Sequence, residues 1–402
     1  MKAKIHFLSL VATLATAGAF VQPAPAQTSE TTATTTSPVA FLYVSRTANI
    51  DAFSVSASGK LSPVPGSPFE FIGYGKLSVS KHFLFGMKTD DYEVSSFSIA
   101  SDGSIKKVTT IDLRKYEPNF QYCTSSPDMQ IDTTGTTIYV QQSPDCDYQD
   151  HQAYLSLHVT TSGDFQYLGG SGGFLDDFGQ GDTISLKMAG TNQYAYDGWC
   201  GDDINNTSTV DIYRRESNGL LQFVSAVNTP PANYATGAQY CAGQVATDSE
   251  NHVAVAYQRL DSEGGDNGPW DGPFFLASYT QQTNGDLTTT STSDNMPEAP
   301  VARNFVIYTM SISPGNKFLA VGGLAGFQVF HFNGGDPITT WSAVHLPNST
   351  IQKLGWDKSN HLFVFDGGSV YVYNVTPNTG VKLVGSPYPI AHANNIIVRS
   401  LQ

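Results

Sequence analysis

Along most of the chain, apolar and polar positions alternate with a period of two, in short runs broken by Gly, Asn, Asp and Pro. The pattern is plainest in Asn360–Pro387 (NHLFVFDGGSVYVYNVTPNTGVKLVGSP), which holds the runs His361–Asp366, Ser369–Val375 and Val381–Val384. Gly367-Gly368 separates the first two, and Pro377-Asn378-Thr379-Gly380 separates the last two. Such alternation puts one face of each run toward a core, and the turn residues supply the backbone freedom of hairpins. A meander this small does not bury a face unaided, so neighbours are required.

The chain supplies them by repetition. The middle run recurs as Ile50–Val55, Val94–Ile99, Tyr154–Val159, Val210–Arg215, Leu276–Gln281, Phe327–Phe332 and Val370–Val375. Phe or Tyr fills its fourth place in every copy but the third, where Leu157 stands. A Gly-bearing turn follows each copy, from Ser58-Gly59 to Thr379-Gly380, and an apolar partner strand precedes each, from Phe41–Val44 to Leu362–Phe365. A further innermost strand is expected before six of them: Lys76–Ser80, Met129–Asp132, Ile184–Lys187, Gln244–Thr247, Tyr308–Ser313 and Gln352–Trp356. The first copy lacks one, while Asn395–Ser400 stands alone after the seventh and is free to complete it. The repeat predicts an all-β, seven-bladed β-propeller of four-stranded blades, its ring closed by pairing that last strand with the first blade. Closure removes the exposed edges of an open sheet.

Composition agrees with β structure: 20 Tyr, 23 Phe and 37 Gly against 14% charged residues. The ends add what the repeat does not. Lys2 and Lys4, the apolar run Phe7–Val21 and Ala24-Pro25-Ala26 read as a signal peptide over residues 1–26, cleaved after Ala26. The Thr/Ser tract of residues 27–38 reads as a flexible leader, and 39–402 as the propeller. The expected location is secreted or periplasmic, with no membrane span after cleavage and a monomeric state. The formal net charge of −14 argues against nucleic acid and anionic membrane as partners.

The stretch Phe41–Phe69 (F-L-Y-V … I-D-A-F-S-V … G-K-L-S-P-V-P-G-S-P-F), echoed by Lys382–Tyr388, resembles the seven-bladed lactonase propellers. That family holds the propeller-type 6-phosphogluconolactonases, their exported relatives and neighbours of the YVTN type. The resemblance covers Val39–Gln402. It implies a hydrolase opening a sugar lactone in the central pocket, by cationic and acid/base groups that polarise the carbonyl and activate water. The family's His-bearing motif at the entry of the innermost strand is not seen in Tyr122–Gly135, Tyr240–Glu250 or Tyr308–Asn316. His392 alone occupies a comparable place. His82, His252 and His361 read as turn or rim residues.

Candidate chemistry otherwise gathers on one face. Second-to-third loops are short in blades 1, 6 and 7 and long in blades 3, 4 and 5, and long loops on a rigid scaffold are where binding usually lives. Asp145, Asp147 and His151 in blade 3, Asp197, Trp199 and Asp202 in blade 4, and Trp270 and Asp271 in blade 5 are the candidate ligand-binding residues. Carboxylates beside tryptophans suit a carbohydrate, another small molecule or a protein partner; calcium is a weaker possibility, since no complete EF-hand or RTX-type spacing occurs, and no cofactor is expected. Cys123, Cys146, Cys200 and Cys241 fit two disulfides of an exported protein. Three pairings are possible; Cys123 and Cys146 flank the turn Thr133-Thr134-Gly135 symmetrically, which favours Cys123–Cys146 with Cys200–Cys241. No CxxC, HExxH or Walker A motif is present, and Gly169–Gly173 matches G-x-S-x-G without the strand-to-helix setting it needs. The residues thus favour a ligand- or protein-binding module on the loop face of blades 3–5, with the lactonase reading as the alternative.

Overall fold

Five of the first-to-second turns contain a residue in left-handed backbone, and the repeat supplies one that tolerates it. Gly135, Asn192, Asn251, Asn316 and Asn360 occupy the same turn position, with φ of 74°, 61°, 68°, 54° and 62°. Asn and Gly are the residues that adopt this conformation at low cost. The computed structural model describes residues 37–88, 92–116, 128–141, 152–174, 186–199, 209–228, 239–260, 272–301 and 307–401.

These turns join the strands into seven antiparallel sheets. Blade 2 is Tyr74–Val79, Phe83–Lys88, Glu93–Ile99 and Ile105–Asp112; blade 3 is Met129–Ile131, Thr137–Gln141, Gln152–Val159 and Phe165–Phe174. Blade 4 is Lys187–Met188, Tyr194–Trp199, Thr209–Arg215 and Leu221–Asn228. Blade 5 is Gln239–Thr247, His252–Leu260, Phe274–Gln281 and Leu287–Thr288. Blade 6 is Ile307–Ile312, Phe318–Gly323, Gly326–Asn333 and Asp336–Thr340. Blade 7 is Lys353–Trp356, His361–Phe365, Ser369–Thr376 and Gly380–Leu383, with the short strand Tyr388–Pro389 also paired to Ser369–Thr376.

Blade 1 takes Ala40–Arg46, Ile50–Val55 and Leu61–Pro63 from one part of the chain and its inner strand, Ala393–Ser400, from another. Phe41 pairs with Arg399, Tyr43 with Ile397 and Ser45 with Asn395, so the ring is closed in the way the repeat count requires. No helix among the described residues is long and apolar enough to cross a membrane.

Alternation predicts one buried face per strand. The second strands are instead buried on both faces: Leu362, Phe363, Val364 and Phe365 are all at 0% exposure. The ring is the reason. Each sheet lies between two others, so odd and even side chains enter different cores, as in any doubly covered sheet. Seven apolar clusters result, one at each border between consecutive blades. In blade 1, Phe41 and Tyr43 pack toward blade 2 while Ala40, Leu42 and Val44 pack toward blade 7.

One contact locks these borders. At six of the borders a residue at the start of one blade's second strand lies beneath the third-to-fourth turn of the next blade; Gly380 in the turn of blade 7 has no such neighbour. A Cβ on Gly103 (φ +87°) would stand 2.4 Å from the Phe41 ring, so both the backbone sign and the space demand glycine. Two residues on, Tyr43 Oη donates to the carbonyl of Gly103 at 3.1 Å; Tyr139 does the same to Gly219 at 2.9 Å and Tyr196 to Gly285 at 2.8 Å. A phenol whose hydroxyl reaches a backbone carbonyl can be buried without loss.

Candidate axial site

The inner strands border the propeller axis and follow one another around it. Their equivalent positions are fixed by a shared backbone hydrogen bond that closes the first turn. Ser80 N–H donates to Phe83 O, Asp132 to Thr137, Ala189 to Tyr194, Asp248 to His252, Ser313 to Phe318 and Asp357 to His361, all between 2.8 and 3.1 Å. Four residues before this position stand Lys76, Asp128, Gln244, Thr309 and Lys353. In blades 2, 5 and 6 the pairing register shifts beside that residue, between Tyr74 and Lys76, Ala242 and Val245, and Ile307 and Thr309. A bulge re-aims a side chain that regular pleating would bury between blades. Apolar neighbours such as Leu77, Met129, Met310 and Leu354 keep to the blade borders. Around the axis the wall is polar.

Its charges converge. Asp128 is anchored by its own backbone, its carbonyl accepting from Gln141 N–H at 2.9 Å while its Oδ1 accepts from Met129 N–H at 2.8 Å. Burial pushes its carboxyl up, but the ammonium groups of Lys353, Lys76 and Lys187 outweigh that and hold it below the usual carboxylate range. Those lysines belong to blades 7, 2 and 4. Blades 7 and 3 share no border, so the Lys353 and Asp128 charges meet across the axis.

Lys187 opens the inner strand of blade 4, paired with Tyr196, and its Nζ donates to Gln130 Oε1 of blade 3 at 3.4 Å. Burial and the nearby Lys353 charge bring it down from 10.5 to about 8, with Asp128 and Asp197 acting in the opposite sense. An ammonium that releases its proton so near neutrality is suited to proton transfer, and such groups cluster at functional sites. With Lys76, Lys187 and Lys353 charged against Asp128, the site is a cationic island in an acidic protein. It suits a carboxylate, or an oxygen on which negative charge develops.

Of the candidate residues read from the loops, Asp145, Asp147, His151, Asp202, Trp270 and Asp271 lie outside the described residues, as do Cys123, Cys146 and Cys200. Cys241 sits opposite Gln258 on the inner strand of blade 5 and is not a free thiol. Trp199 ends the second strand of blade 4, opposite Thr209. Asp197 is at 5% exposure, and its Oδ2 accepts from Tyr154 Oη at 2.5 Å. It is therefore buried at the border with blade 3 rather than on the loop surface.

Lys76, Asp128, Lys187 and Lys353 went unread in the sequence, where attention fell on histidines and acidic loops. Aligning the repeats on their first turns, rather than on the aromatic of the middle strand, puts polar residues at one depth in five inner strands.

On the opposite face, the histidines are turn residues. Asp357 Oδ1 accepts from Ser359 and His361 N–H, and its Oδ2 meets His361 Nδ1 at 2.7 Å; Asp248 does the same with Glu250 and His252, also at 2.7 Å. Each imidazole then takes the place of Phe41 beneath the next blade's turn, against Gly59 or Gly334. Asp248, Glu250 and His252 also line a groove of about 560 Å³ between blades 5 and 6, and are close enough together to share an ion. The same Asp–His pair is sealed in blade 7, with side chains 0% and 3% exposed, which identifies it first as a turn device.

No family model matches the chain, and no curated protein matches it. Solved structures do. A periplasmic gluconolactonase from Pseudomonas aeruginosa aligns with a TM-score of 0.62 at 12% identity, over 90% of this chain and 99% of that one. A proposed 6-phosphogluconolactonase from Bacteroides uniformis aligns with a TM-score of 0.61 at 12% identity, over 89% and 99%. One from Bacteroides fragilis aligns with a TM-score of 0.60 at 13%, over 91% and 99%. At such identity the likeness shows the fold, a seven-bladed propeller, and that alone.

Proposed function

We propose that the chain is a lactonase-like hydrolase that opens an aldonolactone in the axial site. The observation that carries this reading is the placing of Lys76, Asp128 and Lys353 at one depth in the inner strands of blades 2, 3 and 7, with Lys187 of blade 4 donating to Gln130 of blade 3 beside them. The named gluconolactonase among the structural neighbours supports it. Water attacks the lactone carbonyl carbon and gives its proton to the Asp128 carboxylate. Lys76 and Lys353 stabilise the oxyanion, whose charge is absent from the substrate and so rewards the transition state selectively. As the ring C–O bond breaks, the Lys187 ammonium protonates the departing alkoxide. The product is a hydroxy acid, and the two enzyme groups exchange protons with solvent to reset. The same proposal includes the signal peptide, export, the two disulfides and a monomeric state.

The mechanism needs Asp128 ionised and Lys187 protonated. Turnover should therefore hold from below the usual carboxylate range up to about pH 8, and fall above it. The test is titrimetric hydrolysis of glucono-1,5-lactone by the mature chain, corrected for the spontaneous reaction. Asp128→Asn and Lys187→Met should each lower kcat by about 10²–10⁴-fold. Hydrolysis no faster than buffer, or variants equal to wild type, would refute it. Saturable binding of gluconate without turnover would return the chain to the binding-module reading.

A further inference from the structure

We propose that Asn395 is a substrate-binding residue of the axial site, whose carboxamide oxygen accepts a hydrogen bond from a ring hydroxyl and so selects a polyhydroxy lactone over an unsubstituted one. On the hydrolase reading above, on which this rests, Asn395 decides which lactone the site accepts. Blade 1 takes its inner strand, Ala393–Ser400, from the end of the chain, and that strand lies between the inner strands of blades 7 and 2. Its wall position follows from register. Arg399 pairs with Phe41, which lies under the Gly103 turn as Phe83 lies under the Gly163 turn. Four residues before Arg399 stands Asn395, as Lys76 stands four before Ser80.

The backbone beside it gives the same position independently. In blade 2 the pairing skips Gly75 and resumes at Lys76, opposite Met87; in blade 6 it skips Tyr308 and resumes at Thr309, opposite Gly322. In blade 1 it skips Asn394 and resumes at Asn395, opposite Ser45. A bulge at one place in the repeat thus brings three polar side chains to one depth. Asn395 joins Lys76, Asp128, Gln244, Thr309 and Lys353 in the polar wall, set between Lys353 of blade 7 and Lys76 of blade 2.

Its side chain is enclosed and its acceptor is unused. Asn395 is 6% exposed, and no donor among the described residues reaches its Oδ1. The hydroxyl opposite, Ser45 Oγ, donates to the Asn395 main-chain carbonyl at 3.5 Å instead. A buried acceptor without a donor destabilises the folded chain, and native proteins leave few of them. This one stands where the proposed reaction brings in a molecule rich in hydroxyl groups. The residue type fits that task. An aspartate between the two lysines would cancel the positive charge that stabilises the oxyanion, whereas an amide supplies an acceptor and leaves that charge intact. A buried acceptor also rejects a ligand with no donor to offer, because the complex then strands it unpaired.

The test compares glucono-1,5-lactone with δ-valerolactone, which has the same ring without hydroxyls, in wild type and Asn395→Leu. Leu keeps the branched outline of Asn and has no acceptor. The ratio of kcat/KM for the hydroxylated over the plain lactone should fall by about 10–100-fold in the variant. The loss should be carried by KM, since a ring hydroxyl takes no part in bond breaking. Calorimetric binding of gluconate and hexanoate, carboxylates of one chain length with and without hydroxyls, reads the same preference without turnover, and it should fall alike. Should Asn395→Leu not fold, Asn395→Ala is read in its place. An unchanged preference in the folded variant, a fall carried by kcat alone, or a wild type that does not favour the hydroxylated member would overturn the inference. Lost gluconate preference in a chain that hydrolyses neither lactone would leave it standing and remove the hydrolase reading. Hydrolysis with an unchanged preference would do the reverse.

Discussion

Lys187 is costly to the fold. A lysine whose proton leaves at about 8 in the folded chain, against 10.5 when exposed, destabilises the native state whenever it is charged. The sign follows from the depressed value: the penalty is complete below pH 8 and disappears as pH rises toward 10.5. Lys187→Met should thus lower turnover yet raise stability by about 1–3 kcal/mol at pH 7, a gain that shrinks between pH 8 and 10.5. Chemical denaturation at several pH values checks it. A residue kept for packing would behave in the opposite way.

At the scale of the element, the first turns explain why the blades hold their shape. The Asp357 carboxylate is wholly buried and serves two backbone N–H groups and His361 Nδ1. Asp357→Ala would orphan these donors and should cost about 2–4 kcal/mol. Asp248→Ala should cost less, because His252 is 20% exposed at its groove and water can replace the lost partner. Thermal unfolding of the two variants side by side decides it. In blade 3 the place of the aromatic or imidazole is held by Thr137, and Arg215 of blade 4 fills the space, bonding Thr137 Oγ1 at 2.9 Å and Asp132 Oδ2 at 3.2 Å. The repeat tolerates three chemistries in one slot because the slot asks only for volume and a partner for the capping acid.

These elements were legible in the sequence to different degrees. Middle strands carry aromatics at a fixed place and end in Gly turns, so the expected Ile50–Val55 is the strand observed. Inner strands have one packed edge and one polar edge, which blurs their pattern. The inner strand of blade 4 was expected at Ile184–Lys187 and pairs at Lys187–Met188, so Lys187 opens the strand instead of ending it. The axial charges were illegible for a related reason. Four blades contribute one charged residue apiece, unremarkable alone, and only the ring brings them together.

At the scale of the molecule, stability depends on the single seam in blade 1. Ala393–Ser400 supplies the inner strand against Ala40–Arg46 and carries Ile396 into the border with blade 7. Deleting residues 393–402 would expose the Ala40–Arg46 edge and open two borders. The loss should be comparable to the whole stability of a domain, about 5–15 kcal/mol. The truncated chain should aggregate through its free edge, and size-exclusion chromatography with circular dichroism would show it. A truncated chain that stays monomeric and unfolds cooperatively would deny the seam this role.

That seam also sets an order of events. A ribosome makes Lys76, Asp128 and Lys187 well before Lys353, and the strand that seals the ring comes later still. Until then the early blades have no fixed curvature, and their charges have no common centre to face. The axial site is therefore the last thing this chain makes, and an interrupted chain carries none of it.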